Sequence, residues 1–344
     1  MPAEPVEPVE HRTLGRTGIR IAPLALGAMN FDGRTDEPVR IIHQALDAGI
    51  NLVDTADVYR QGGSEEVVGR ALRGRRDQVV LATKAGLQIG EGANRSGSSR
   101  RWLIRAVEAS LRRLGTDRID LYQVHTLDRQ TAPEETLAAL TDLQRAGKIL
   151  HFGTSNHLAH HLVEAQYTAR EHGLSRPVSE QANYSLLARG LERDVLPVAQ
   201  QYRLGTLIWG PLSGGWLSGA IRAGQPVRTH RSQHFPAWFD LGQPVNQQRL
   251  RVVEQLAGVA EGAGLTLVQL ALGFVTAHPG VTAAIIGPRT GEHLQSQLAA
   301  LHLRLEDDVL DTIDVIIAPG TDLAPDERYD RPPELDDRSL RRRR

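Results

Sequence analysis

Four residues of this chain are of the right types to move a proton inside a shielded pocket: Asp54, Tyr59, Lys84 and His125. Asp54, Lys84 and His125 each close a short apolar run, and Tyr59 follows Asp54 by five residues. A tyrosine titrates near pH ~10, too high for ready proton donation at neutrality. A neighbouring ammonium stabilises the phenolate and lowers that value. Lys84 suits this part, Asp54 can pair with Lys84 and hold it, and His125 can hydrogen-bond and orient a carbonyl oxygen. Such a group suits proton transfer to a developing alkoxide. It contains no activated nucleophile for covalent catalysis, so the hydride must come from a cofactor. One polar residue at the end of an apolar run is commonplace. Three at successive runs point to chemistry.

The runs that must position them read as strands: Ile21–Gly27, Ile50–Asp54, Val79–Lys84, Ile119–His125, Ile149–Thr154, Val178–Asn183, Thr206–Trp209 and Thr282–Gly287. Helical patterns lie between them. Leu103, Val107, Leu111 and Leu114 repeat at helical spacing, and further helices are expected at about Gln247–Ala263 and Leu267–Ala277. Thr131 with Glu134 reads as a capping box ahead of Leu137, Leu140 and Leu143. Strand–helix alternation implies parallel strands with crossover helices, and eight units close a barrel. The fold class expected is therefore α/β, a (β/α)8 TIM barrel. An open doubly wound sheet would advertise a G-x-G-x-x-G turn after an early strand, whereas Gly27 is followed by Ala28-Met29-Asn30. A single barrel domain over residues 12–317 is expected, with tails at 1–11 and 318–344. It includes an N-terminal hairpin over Arg12–Arg20 that plugs the barrel bottom, and a long loop after the seventh strand, about Leu217–Asn246. Loops of that length are usually functional. The tail from Ala318 reads as surface-wrapping or disordered.

Bulk properties exclude several classes. The 344 residues carry a formal net charge of −1, so nothing favours nucleic acid as a partner. There is no cysteine, which rules out disulfides, thiolate metal sites and a cysteine nucleophile. No run approaches the length of a membrane span, and the acidic, proline-rich start does not resemble a signal peptide. The expectation is a cytoplasmic protein with no membrane partner and no metal.

The motifs Asn51-Leu52-Val53-Asp54-Thr55-Ala56-Asp57-Val58-Tyr59, Ala82-Thr83-Lys84, Asp120-Leu121-Tyr122-Gln123-Val124-His125, Gly147-Lys148, Gly153-Thr154-Ser155-Asn156 and Ile285-Ile286-Gly287-Pro288-Arg289-Thr290 occur in order. On these the chain resembles the aldo-keto reductase family over about residues 12–317. The resemblance implies a (β/α)8 fold, NADPH/NADP+ as cofactor, a small-molecule carbonyl as substrate, and an Asp-Tyr-Lys-His tetrad at Asp54, Tyr59, Lys84 and His125. It places Ser155, Asn156 and Gln181 on the nicotinamide carboxamide and Trp209 against the nicotinamide ring. Gly210, Pro211, Leu212 and Gly214, within a loop reaching Gly215, fall around the pyrophosphate. Gly287, Arg289, His293 and Gln297 fall near the 2′-phosphate and adenine, where an arginine fork suits a phosphate. Gly27, Ala28, Met29 and Asp54 complete the cofactor set. Two positions depart from the family: Ala220 stands where relatives often carry Lys, and Ser296-Gln297 replaces an acidic–Asn pair. Arg222, Arg228 or Arg231 would then supply the missing charge.

Other signals read more plainly. His157, His160 and His161 are taken as a surface helix rather than a metal patch, and Arg100-Arg101 and Arg112-Arg113 as solvated helix faces. One of Trp216, Trp238 and Phe239 is a candidate for lining the substrate pocket. Potassium-channel β subunits also resemble this family, so an auxiliary nucleotide-binding subunit is the rival to a carbonyl reductase, with a reductase of nucleotide-deoxysugar intermediates as a variant. A metal-assisted barrel hydrolase ranks last, because the H-x-H strand end that it needs is missing.

Overall fold

A computed structural model describes residues 9–227, 229–323 and 337–342. Eight parallel strands close into a barrel: β3 (Leu24–Gly27), β4 (Leu52–Asp54), β5 (Val80–Ala85), β6 (Ile119–Val124), β7 (Ile149–Ser155), β8 (Ser179–Asn183), β9 (Gly205–Trp209) and β10 (Ala283–Ile286). Neighbours follow chain order, and β10 closes on β3. The expected (β/α)8 barrel is thus observed. Most strand ends fall within one or two residues of those read from the sequence. The exception is Ile21–Gly27, which is two strands. Pro23 has no N–H to give, so the ladder breaks there. Ile21 ends β2 (Arg20–Ile21), which pairs antiparallel with β1 (Arg12–Thr13), and Leu24 starts the barrel.

The β1–β2 hairpin plugs the barrel floor. Leu14 lies so close to the start of β9 that a Cβ on Gly205 would sit 2.4 Å from Leu14 Cδ1, so only glycine fits there. Leu14 and Ile21 join Ala25, Leu52, Ala82, Leu121, Leu207 and Ala283 in an apolar cluster inside the barrel. Side chains alternate along a strand. The residues two further along β4, β5, β6 and β9 are Asp54, Lys84, Gln123 and Trp209. An apolar floor therefore carries a polar layer toward the C-terminal ends of the strands, the end at which barrel enzymes build their sites.

The surrounding helices are α1 (Glu37–Asp47), α2 (Gly63–Ala71), α3 (Arg100–Leu114), α4 (Pro133–Arg145), α5 (Ala159–Glu171) and α6 (Val195–Tyr202). After β9 come α7 (His230–His234), α8 (Pro244–Gly262), α9 (Leu267–Ala277), α10 (Gly291–Leu298) and α11 (Asp307–Ile316). Leu103, Val107, Leu111 and Leu114 face the core from α3 as the spacing implies. The capping box at Thr131 does not form. Ala132 is the N-cap, Pro133 takes the first turn, and the Thr131 hydroxyl donates instead to Asp128 at 2.6 Å. Reciprocal boxes are found at α7, between Thr229 and Ser232, and at α9, between Thr266 and Gln269. No single helix among the described residues is long and apolar enough to cross a membrane.

Beyond α11 the chain wraps back onto the segment after β8. The buried Arg189 donates to Ile317 O and Asp314, Gly190 N–H to Asp322, and Leu323 N–H to Leu187 O.

Candidate active site

Lys84 is fully buried at the end of β5. Its Nζ donates to Asp54 Oδ2 at 2.6 Å and to the Thr55 carbonyl at 2.9 Å, and reaches Tyr59 OH at 3.5 Å. Burial alone pushes the ammonium down, but the facing Asp54 and Tyr59 outweigh it and hold Lys84 above its ordinary value. Tyr59 is set by an unusual turn. Arg60, Gln61 and Gly62 have φ of 52°, 56° and 96°, three left-handed residues in succession. Each non-glycine residue there costs roughly 1–2 kcal/mol. Gly62 is obligatory, since a Cβ would lie 2.6 Å from Arg113 Cδ.

His125 follows β6 and meets the Tyr59 ring edge-on, at 5.7 Å between centroids. Burial, with Lys84 nearby, pushes the imidazole down to about 3, so it is neutral at pH ~7. A neutral imidazole still has one N–H to give to an oxygen. The structure therefore brings Asp54, Tyr59, Lys84 and His125 together, as the sequence implied.

A second set of side chains lies beside them. Asn156 has φ of 60°; its Nδ2 donates to His125 O and Ser155 Oγ, and its Oδ1 accepts from Trp209 Nε1 at 2.9 Å. Ser155 Oγ donates to Gln181 O, and Gln181 Nε2 donates to Asp54 Oδ1 at 2.9 Å. The Ser155–Asn156 turn is held from behind by the fully buried Glu180, which accepts from His157 N–H at 2.9 Å and from Thr154 Oγ1. Burial pushes the Glu180 carboxyl up to about 8, against the pull of those bonds.

The remaining cofactor candidates fall in three places. Gly27 ends β3, the buried Ala28 follows it with its N–H bound to Asp54 O, and Met29 beyond is exposed. Gly210, Pro211, Leu212 and Gly214 form the turn after β9, where Arg231 Nη1 lies 3.8 Å from the place a Gly214 Cβ would take. Gly287 accepts from Asn30 Nδ2, and Arg289 and His293 are exposed around the start of α10. Gln297 is buried, and its Oε1 has no partner among the described residues. Burial lowers His230 on α7, and Arg289, His234, Arg60 and Arg231 act in the same direction.

Several readings are corrected. His157 and His161 are buried rather than on a surface helix; with Asp128, Thr136, Phe152 and Glu164 they line a cavity of about 60 Å³. Among the described residues, no three His, Cys, Asp or Glu groups are placed to hold a metal ion. Arg113 is not a solvated charge but pairs with the buried Glu65 at 2.6 Å, and Glu65 also accepts from Thr83 Oγ1. Arg222 is tied to Glu254 and Glu261, so it is not at hand for a phosphate. Arg228 lies outside the described residues. Trp216 and Phe239 are buried and stacked at 5.5 Å, while Trp238 is exposed and stacks on Phe235.

Three polar residues escaped the sequence reading. Gln123, Glu180 and Asp57 are all buried. Spacing alone puts Gln123 on the inner face, two residues after an inward Leu121, but does not name its partners. Asp57 is buried, and burial, with Glu65 nearby, raises its carboxyl to about 7 against the opposing pull of Arg113, the Val58 N–H and Lys84.

The aldo/keto reductase family model matches residues 23–318. The chain is 39% identical over 327 residues to an uncharacterized oxidoreductase, YrpG, of Bacillus subtilis, covering 91% of this chain and 97% of that protein. It is 33% identical over 321 residues to a putative voltage-gated potassium channel subunit beta of Schizosaccharomyces pombe, covering 90% and 93%. It is 31% identical over 318 residues to a probable subunit of the same kind from Oryza sativa, covering 90% and 97%. By fold, motif order and similarity along its length, this chain belongs to the aldo/keto reductase family and is an oxidoreductase.

Proposed function

We propose that this oxidoreductase uses NADPH to reduce an aldehyde, ketone or sugar-type carbonyl to an alcohol, with Tyr59 as proton donor. One observation carries the reading: the Lys84 ammonium, wholly removed from water, faces both the Asp54 carboxylate and the Tyr59 hydroxyl. In that position it favours the phenolate, so the phenol gives up its proton more readily than free tyrosine does. His125, neutral, donates to the carbonyl oxygen and orients it, while Asp54 keeps Lys84 charged and in place.

The residues present fit a nicotinamide nucleotide. When bound, it supplies the hydride. Trp209 offers a flat face fixed by its bond to Asn156, and Ser155, Asn156 and Gln181 offer amide and hydroxyl groups for the carboxamide. Gly210 to Gly214 with Arg231 suit the pyrophosphate. Gln297 Oε1, buried and without a partner among the described residues, suits a donor on the adenine, and Arg289 and His293 suit the phosphorylated ribose.

The test is a panel of aromatic aldehydes, dicarbonyls and ketoses, with NADPH consumption as the readout. Turnover with at least one class is expected. Tight NADPH binding without turnover on any of them would favour an auxiliary role like that in the names of the channel-subunit relatives.

A further inference from the structure

Gln123 takes no part in the chemistry above, yet it touches both halves of the site. The Asp54 carboxylate is shared: Oδ2 receives Lys84, and Oδ1 receives Gln123 Nε2 at 3.1 Å and Gln181 Nε2 at 2.9 Å. Gln181 Nε2 also donates to Gln123 Oε1 at 3.1 Å. Asp54, Gln123 and Gln181 thus form a closed triangle, and both glutamines are buried.

The carboxylate fixes both amides. An ionised carboxylate only accepts, so each glutamine must turn its nitrogen toward it. Gln181 then spends both hydrogens, one on Asp54 and one on Gln123. Its carbonyl oxygen is left on the side away from the triangle. Without Gln123, Gln181 keeps one partner and its second hydrogen is orphaned in a dry interior, while Asp54 loses a donor and leans harder on Lys84.

We propose that Gln123 is a positioning residue that couples the Asp54–Lys84–Tyr59 proton-transfer group to the Gln181 amide facing the nicotinamide, so that the two are set together. The proposal rests on the NADPH reading of this site. Its consequences run in two directions. Toward the cofactor, Gln123 fixes which end of the Gln181 amide is presented. Toward the proton donor, it keeps Asp54 from neutralising Lys84 further, and so leaves Lys84 able to favour the Tyr59 phenolate.

Two variants separate this from mere packing. Gln123→Met keeps the shape and removes both polar ends. A hydrogen bond to a buried charge is worth about ten- to a hundredfold in an equilibrium. Gln123→Met should therefore lower kcat about tenfold and weaken NADPH by a similar factor, while leaving KM for the carbonyl within about twofold. In the cofactor-free protein, the Tyr59 titration should move to higher pH, read as the ultraviolet tyrosinate signal that disappears with Tyr59→Phe.

Gln123→Glu is the conservative rescue. As a neutral acid its O–H can donate to Asp54 and its C=O can accept from Gln181, as the amide does. Once ionised it still accepts from Gln181 but can no longer donate to Asp54, and it repels that carboxylate. Its kcat relative to the parent should be near one at the acid end of the profile and fall as pH rises.

A folded Gln123→Met with parent kcat, NADPH affinity and Tyr59 titration would overturn the proposal, as would a Gln123→Glu ratio that does not vary with pH. Should Gln123→Met fail to fold, the Gln123→Glu profile decides. A parent that binds no NADPH would overturn the cofactor reading itself and the Gln181 half of the coupling. The Tyr59 titration would still decide the Asp54 half.

Discussion

At the scale of single residues, the site shows how burial sets protonation. Lys84 and His125 lie in the same dry layer and go opposite ways. Lys84 has Asp54 and Tyr59 to hold its charge, whereas burial and the Lys84 cation both act against charge on His125, which stays neutral. Asp57 is the costly member. Its carboxyl sits at about 7 in the fold and at about 3.9 in an unfolded chain. Between those values the folded protein holds a proton that the unfolded chain has released, so stability falls as pH rises across the window and stays low above it. The slope is at most about 1.4 kcal/mol per pH unit. Asp57→Asn, neutral throughout, should thus gain stability over the parent progressively from about pH 4 to about pH 7. Thermal unfolding of both proteins across that range checks this. A margin that does not change with pH would show that Asp57 is ionised as usual in the fold.

At the scale of elements, the sequence was most legible where periodicity is simple. The barrel strands, α3 and α9 lie where apolar spacing puts them. It was least legible where one side chain had two possible partners. Thr131 reads as a helix cap in isolation, but a carboxylate from the preceding loop takes its hydroxyl. Ile21–Gly27 reads as one run because no pattern of apolar residues marks the point where Pro23 ends a ladder. Gln123 and Glu180 were overlooked because their meaning lies in other strands: a glutamine becomes informative only once Asp54 and Gln181 are seen across the barrel. The loop after β9 is similar. Its ends are anchored, by Arg222 on Glu254 and by Phe239 on Trp216, with α7 and mostly exposed residues between. We expect hydrogen exchange between these anchors to slow on adding NADPH, and Ala220→Lys to slow NADPH release. Unchanged exchange with an unchanged dissociation rate would show that the loop does not clasp the cofactor. At the start of α10, Arg289→Ala should weaken NADPH by about ten- to a hundredfold and leave NADH nearly unchanged, because the two differ by one phosphate. Equal losses for both would assign Arg289 to the adenine or the fold.

At the scale of the whole molecule, the barrel works as a stack. The hairpin closes the floor, an apolar layer fills the lower interior, and the next layer up each strand supplies Asp54, Lys84, Gln123 and Trp209. The crossover connections leave their loops at the open end, where the Tyr59 turn, the Ser155–Asn156 turn and the loop after β9 meet. The aldo/keto reductase match over residues 23–318 runs through all of these parts. The central claim is that Tyr59 gives the proton in an NADPH-dependent reduction. Single-turnover NADPH oxidation by Tyr59→Phe, measured beside its NADPH dissociation constant, tests it most directly. The substitution keeps the ring and removes only the hydroxyl, so NADPH should bind as in the parent while the rate falls by about a hundred- to ten-thousandfold. A Tyr59→Phe protein that reduces the carbonyl at the parent rate would contradict the account.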